Sequence, residues 1–223
     1  MSVKTLKLVV PDIVVCLNGT LPHQEDFECL RLLPIAAADG ASLKLRDIGI
    51  IPQYIVGDLD SVAQERIYWE QCEHVFIEEQ SSQDTTDFEK TLDFVRSRGY
   101  SSIIVIGLHG GEFDHTLNNW SILMRYGKTM RIAIYDNGTT ALPVYESVQF
   151  SVQPGEMLSL IPQPEATLTT HGLMWNLSNE TLALGKREGA RNQARHHTVT
   201  IYLHSGSFLL FLKSSLPFMP QIV

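Results

Sequence analysis

Through the first 137 residues, short apolar runs alternate with segments of helical period. Asp12–Leu17, Ile35–Ala38, Tyr54–Val56, Val75–Ile77, Ile103–Ile106 and Met130–Tyr135 predict strands. His23–Leu33 predicts a helix. Asp84 reads as the N-cap of another, with apolar Phe88, Leu92 and Val95 at i, i+4 and i+7 and Gly99 as the stop. Asp114 starts a third helix, which ends near Gly127. Ile103–Ile106 has no polar interruption, the pattern of a strand buried on both faces. Strands alternating with helices predict an α/β layer around a mostly parallel sheet.

After Asp136-Asn137-Gly138 the helical period disappears. Val144–Val152, Met157–Ile161, Leu173–Leu177, Thr181–Leu184, Thr198–Leu203 and Phe208–Lys213 are β-rich, and Pro154-Gly155, Pro162, Pro164, Ser178-Asn179, Gly185 and Ser205-Gly206 punctuate them. That predicts a small antiparallel sandwich. The expected fold is α/β: a Rossmann-like nucleotide-binding domain over residues 1–140, then an antiparallel β-sandwich over 141–223. A unit of about 80 residues is marginal alone, so the second domain is expected to pack on the first or on a second subunit.

The formal net charge is −8 with no basic stripe, which argues against a nucleic-acid partner. Small anions stay within reach, because a local metal or a helix N-terminus outweighs global charge. Cys16, Cys29 and Cys72 fit neither a disulfide framework nor a zinc spacing, and read as buried thiols in a reducing compartment. No apolar run is long enough to span a membrane, and Met1–Val10 lacks the pattern of a secretion signal. A cytoplasmic location is expected.

The candidate chemistry lies where strands end. Asp39-Gly40, Gly57-Asp58-Leu59-Asp60-Ser61, Gln83-Asp84-Thr85-Thr86-Asp87 and Gly110-Gly111-Glu112-Phe113-Asp114-His115 each follow an apolar segment. Carboxylates gathered at the carboxyl edge of a sheet repel one another unless a cation lies among them, and a hard divalent metal carrying phosphates is the usual solution. In an extended segment Asp58 and Asp60 point to one face and converge on one ion; the alternative is a polar capped turn. Asp87 is either a first-turn acid favoured by the helix dipole or a metal ligand, and Lys90 either pairs with it or reaches a phosphate. Gly110-Gly111 offers a bare backbone to phosphates. His115 is a structural histidine or a catalyst, and Trp175 a core residue or a stacking platform for a flat heterocycle.

In this order, the segments resemble thiamine pyrophosphokinase. The likeness extends to Asn18-Gly19, Asn118, Ser159-Leu160-Ile161-Pro162, Thr170-His171-Gly172-Leu173, Trp175 and Gly189-x-x-Asn192. The resemblance implies pyrophosphate transfer: the hydroxyethyl oxygen of thiamine attacks the β-phosphorus of ATP, and AMP leaves. It implies a homodimer, with thiamine bound where two subunits meet. Asp58, Asp60 and Asp87 would hold Mg²⁺ and serve catalysis, with Asp87 or Asp60 the candidate general base. Asp39, Gln83, Thr86, Lys90, Gly110, Gly111, Asp114 and His115 would form the ATP and phosphate side. Trp175 would stack on the thiamine pyrimidine, with Asn192 and Arg191 beside it. The chain departs from the family pattern in three places: Glu112 replaces an arginine, Arg191 replaces a serine, and Ala41 follows Asp39-Gly40 in place of a second glycine. The first two motivate an alternative, a relative that binds thiamine or nucleotide without turnover. A metal-dependent phosphatase is a third reading, weakened because its Asp-x-Asp motif would end the first strand.

Overall fold

Ile13–Cys16, Ile35–Ala38 and Ser102–Ile106 are buried along their whole length, as strands covered on both faces must be. The computed structural model describes residues 2–30 and 32–223. In chain order its first half gives β1 (Lys4–Val9), β2 (Ile13–Cys16), α1 (Gln24–Leu30), β3 (Ile35–Ala38), α2 (Ala41–Asp47) and β4 (Tyr54–Gly57). A 3₁₀ turn (Ala63–Glu65) leads into α3 (Arg66–Glu70), β5 (Phe76–Glu79), α4 (Asp87–Ser97), β6 (Ser102–Ile106), α5 (Phe113–Tyr126) and β7 (Arg131–Asp136). The second half gives β8 (Thr139–Val144), β9 (Val148–Ser151), β10 (Met157–His171), β11 (Glu180–Ala183), β12 (Gly189–Gln193), β13 (Thr198–Lys213) and β14 (Met219–Ile222).

The chain divides into two units. The α/β unit holds Pro11–Tyr126 and Ile134–Asn137; the β unit holds Met1–Val10, Gly127–Ala133 and Gly138–Val223. The N-terminal strand falls with the second unit because β1 finds its hydrogen bonds on β9 and β14, and residues 127–133 fall there too.

In the α/β unit β6, β2, β3, β4 and β5 pair in that order, all parallel. The chain steps from β2 outward through β3, β4 and β5, then returns to β6 on the other side of β2. That reversal opens a crevice at the carboxyl ends of the strands, where such sheets bind ligands. Helix α4 lays buried Phe88, Leu92 and Val95 on the sheet, as their spacing predicts. Its N-cap is Thr86 and not Asp84: Thr86 and Glu89 close a capping box, which outcompetes a lone acid two residues earlier. Helices α2 and α3, seven and five residues long, are too short to show a period in the sequence. A small core of Ile55, Leu59, Val62 and Trp69 fixes the segment after β4.

The β unit is antiparallel apart from the β1–β9 pair. Its two longest strands, β10 and β13, exceed the prediction. β10 continues through Pro162 and Pro164, and β13 continues through Ser205-Gly206 where a turn was expected. Register shifts between Pro162 and Ala166 and between Thr167 and Leu168 absorb both irregularities as bulges. Leu173–Leu177, expected as a strand, is a loop with one bridge from Leu173 to Ala194. Of the three thiols only Cys16 is buried; Cys29 is exposed and Cys72 half-buried, which corrects the expectation of three buried cysteines. Among the described residues no helix is long and apolar enough to cross a membrane.

Candidate active site

At the carboxyl ends of the parallel strands lies a cleft of about 490 Å³. Leu17-Asn18-Gly19 after β2, Asp39-Gly40 after β3, Asp58 and Ser61 after β4, and Gly107-Leu108 after β6 line it, and the start of α4 closes one side. Its floor is acidic. Asp39, Asp58 and Asp87 each present a carboxylate oxygen within 4.8 Å of the other two. Gly57 permits this: a Cβ there would stand 2.8 Å from Asp39 Cβ and 3.2 Å from Asp87 Oδ1.

Asp39 is the most deeply placed of the three, with 4% of its surface exposed. The Ser61 amide donates to its Oδ2 at 3.3 Å, and Oδ1 has no hydrogen-bond partner among the described residues. Burial raises its carboxyl above the usual aspartate range, hydrogen bonds from Ser61 oppose the rise, and the Asp87 and Asp58 charges add to it. A buried, unpartnered carboxylate oxygen facing two further carboxylates fits a hard cation of the Mg²⁺ kind, which takes oxygen ligands. One cation is already present. The buried Lys90 ammonium lies 3.1 Å from Asp87 Oδ1 and 3.7 Å from Asp58 Oδ2.

The residues expected on the phosphate side divide. Asp39, Gln83, Thr86, Lys90, Gly111 and His115 line the cleft; Gly110 and Asp114 do not. Gly110 instead lets its loop pack on Thr20, whose Oγ1 a Cβ would overlap at 1.8 Å. Asp114 accepts from the His115 amide at 2.9 Å. Thr86 commits its amide and hydroxyl to Glu89 Oε2, at 3.1 and 3.2 Å, and so sets the first turn of α4. Glu89 is held in turn by Arg125 at 2.7 Å. Burial works to raise the Glu89 carboxyl, but the Thr86 amide and the Arg125 guanidinium outweigh it and hold it below the usual glutamate range.

Asp60 lies outside the three-carboxylate cluster and is exposed; its amide donates to Asp58 Oδ1 at 3.3 Å. Leu59 stands between the two acids at φ +65°. The segment is therefore not extended, and the i, i+2 rule that would bring Asp58 and Asp60 to one face does not operate. The sequence reading also missed Lys44 on α2. Its ammonium holds the Asn18 and Gly19 carbonyls at 2.7 and 2.8 Å and fixes the loop after β2.

In the β unit Trp175 is 63% exposed, which removes it from that unit's core. Asn192, 9% exposed, clamps its backbone: Oδ1 accepts from the Trp175 amide at 3.3 Å, and Nδ2 donates to the Trp175 carbonyl at 2.8 Å. Arg191 is exposed with φ +55°, its amide bound to Ser159 Oγ at 2.9 Å.

Two family models match this chain in sequence order. Residues 33–135 match the thiamin pyrophosphokinase catalytic domain, and residues 145–208 the thiamin pyrophosphokinase vitamin B1 binding domain. Thiamine pyrophosphokinase 1 of Oryza sativa subsp. japonica is 30% identical over 183 residues, 76% of this chain and 67% of that protein. The chain belongs to the thiamin pyrophosphokinase family. Thiamine pyrophosphokinase of Bacillus subtilis is 28% identical over 184 residues, covering 79% of this chain and 85% of its relative. The crystal structure of thiamine pyrophosphokinase from Bacillus subtilis superposes with a TM-score of 0.75 at 24% identity, over 92% of this chain and all of that one. This chain spans about two thirds of the length of the rice relative. The catalytic-domain match takes in Asp39, Asp58, Asp87 and Lys90 but not the cleft-lining Leu17-Asn18-Gly19, and the vitamin-binding match takes in Trp175, Arg191 and Asn192.

Proposed function

We propose that this protein transfers the pyrophosphate group of ATP to the hydroxyl of thiamine, giving thiamine diphosphate and AMP. The observation that carries the reading is the cluster of Asp39, Asp58 and Asp87 at the carboxyl end of the parallel sheet, with Asp39 Oδ1 buried and unpartnered among the described residues. These three would hold Mg²⁺. When bound, the ion neutralises charge that builds on the transferred phosphoryl oxygens. The chain supplies the rest. The first turn of α4, set by the Thr86–Glu89 box, directs its amides and dipole toward the cleft. Gln83 and Gly111 add donors along its wall. Asp60, exposed and tied through its amide to Asp58 at the edge of the cluster, is the candidate to take the hydroxyl proton from thiamine. The exposed Trp175 indole offers a stacking face for the thiamine pyrimidine, on a backbone that Asn192 holds still. An indole 63% exposed also supports the homodimer, in which a second subunit and the substrate would cover it together.

One observation favours a second reading. Glu112 lines the cleft where the resemblance has an arginine, so it adds negative charge on the phosphate side. That fits a relative that binds without turnover. Incubation with thiamine, ATP and Mg²⁺, with a metal-free control, separates the two. Equal, metal-dependent formation of thiamine diphosphate and AMP supports the kinase; bound thiamine with no AMP moves the protein to the second reading.

A further inference from the structure

Lys90 stands on α4 three residues after Asp87, with 3% of its side chain exposed. A lysine is almost never buried this far unless its charge is paired. An ordinary i, i+3 pair on a helix surface would leave the ammonium in water. Here it reaches across two elements, to Asp87 on α4 and Asp58 after β4. Three ionised carboxylates and one ammonium leave two negative charges, the complement of one divalent cation. The ammonium does not saturate the cluster, since Asp39 Oδ1 stays unpartnered among the described residues.

We propose that Lys90 is a positioning residue, the built-in counter-cation of the carboxylate cluster. It holds Asp58 and Asp87 together before a metal arrives. Its charge also weakens the hold on the ion, so that metal enters and leaves with the nucleotide's phosphates. This rests on the reading of the cluster as a divalent-metal site, and it replaces the expectation that Lys90 contacts phosphate.

The test is Mn²⁺ binding to the full chain without nucleotide, followed by electron paramagnetic resonance, beside thermal unfolding without metal. Wild type must bind Mn²⁺ and Asp87→Asn must lose it; otherwise the metal site itself fails, whatever Lys90 does. Given that, Lys90→Met is expected to bind Mn²⁺ about tenfold more tightly, because a repelling charge is gone, and to unfold at a lower temperature without metal. Lys90→Arg keeps the charge and the wild-type affinity. Unchanged or weaker Mn²⁺ binding in Lys90→Met overturns the proposal, as does tightening in Lys90→Arg. Should Lys90→Met fail to fold, the charge-balanced pair Lys90→Met with Asp58→Asn decides. Recovery of cooperative unfolding supports the role, and continued failure overturns it.

Discussion

In the cleft of the α/β unit, charged groups are drawn out of water and pressed together; in the Trp175 loop of the β unit, a large apolar ring is left in water. Asp39 is 4% exposed and Trp175 is 63% exposed, each the reverse of its residue type's habit. Both placements are held by backbone geometry rather than by the exceptional side chain. Gly57 makes room for Asp39 and Asp87, and Asn192 fixes the main chain on both sides of the Trp175 α-carbon. The proposed ion site is assembled inside the fold, at a cost to the fold. The proposed stacking surface waits outside, at little cost. Substitutions of the carboxylates in the first region should therefore change stability and activity together, and removal of the Trp175 ring in the second should change activity alone.

The largest effect is expected for Asp58→Asn or Asp87→Asn, each lowering turnover of thiamine by about 100-fold or more, as loss of a metal's ligand charge does. Near-wild-type turnover would remove the cleft from the mechanism. Next, Asp39→Asn and Asp60→Asn should part company. Asp39→Asn weakens Mn²⁺ binding measured without nucleotide, while Asp60→Asn keeps that affinity and lowers kcat by about 100-fold, the loss of a general base. Weakened Mn²⁺ binding in Asp60→Asn would return it to the ligand set that the family resemblance implies. Asn192→Ala, which removes the partner of the half-buried Trp175 amide and carbonyl, should destabilise by about 1 kcal/mol and raise the thiamine KM. Trp175→Ala should raise the thiamine KM with a change in stability of about 0.5 kcal/mol or less. A large fall in Tm for Trp175→Ala would erase the contrast between the two regions. The smallest effect is a pH dependence. With its folded value depressed, Glu89 contributes stability that is full above the ordinary glutamate range and fades as pH falls through the lowered value. Glu89→Gln should flatten that acid limb in denaturant titrations, and an unchanged limb would place the titrating group elsewhere.

The parallel sheet was legible because fully buried strands read as unbroken apolar runs, and the cleft because acidic segments follow those runs. The third carboxylate was not. Whether Asp58 and Asp60 share a face depends on the φ of Leu59, and nothing in a leucine announces a left-handed backbone. Asp39 entered the phosphate set as a strand-end acid, yet its burial depends on Ser61 and Gly57, partners distant in sequence. The loop that carries Trp175 was not legible, because Leu173, Trp175 and Leu177 alternate like a strand. Gly172 at φ +89° and the Asn176 side chain, which accepts from the Leu173 amide, turn that segment into a loop. The prolines of β10 marked a break that bulges absorb, and the extent of bulging is set by β13.

The pairing of β1 bears on the order in which this chain assembles. Leu6 pairs with Ile222, so β1 lies beside a strand synthesised long after it. The 116 residues Pro11–Tyr126 emerge between them and fold into the other unit. During synthesis the parallel sheet can close on its own local connections, while β1 presents an unfilled edge until β14 arrives. Native pairings this distant are slow to form, and an open edge is a template for unwanted strand addition. The β unit is thus the part of the chain whose closure waits on the most distant pairing.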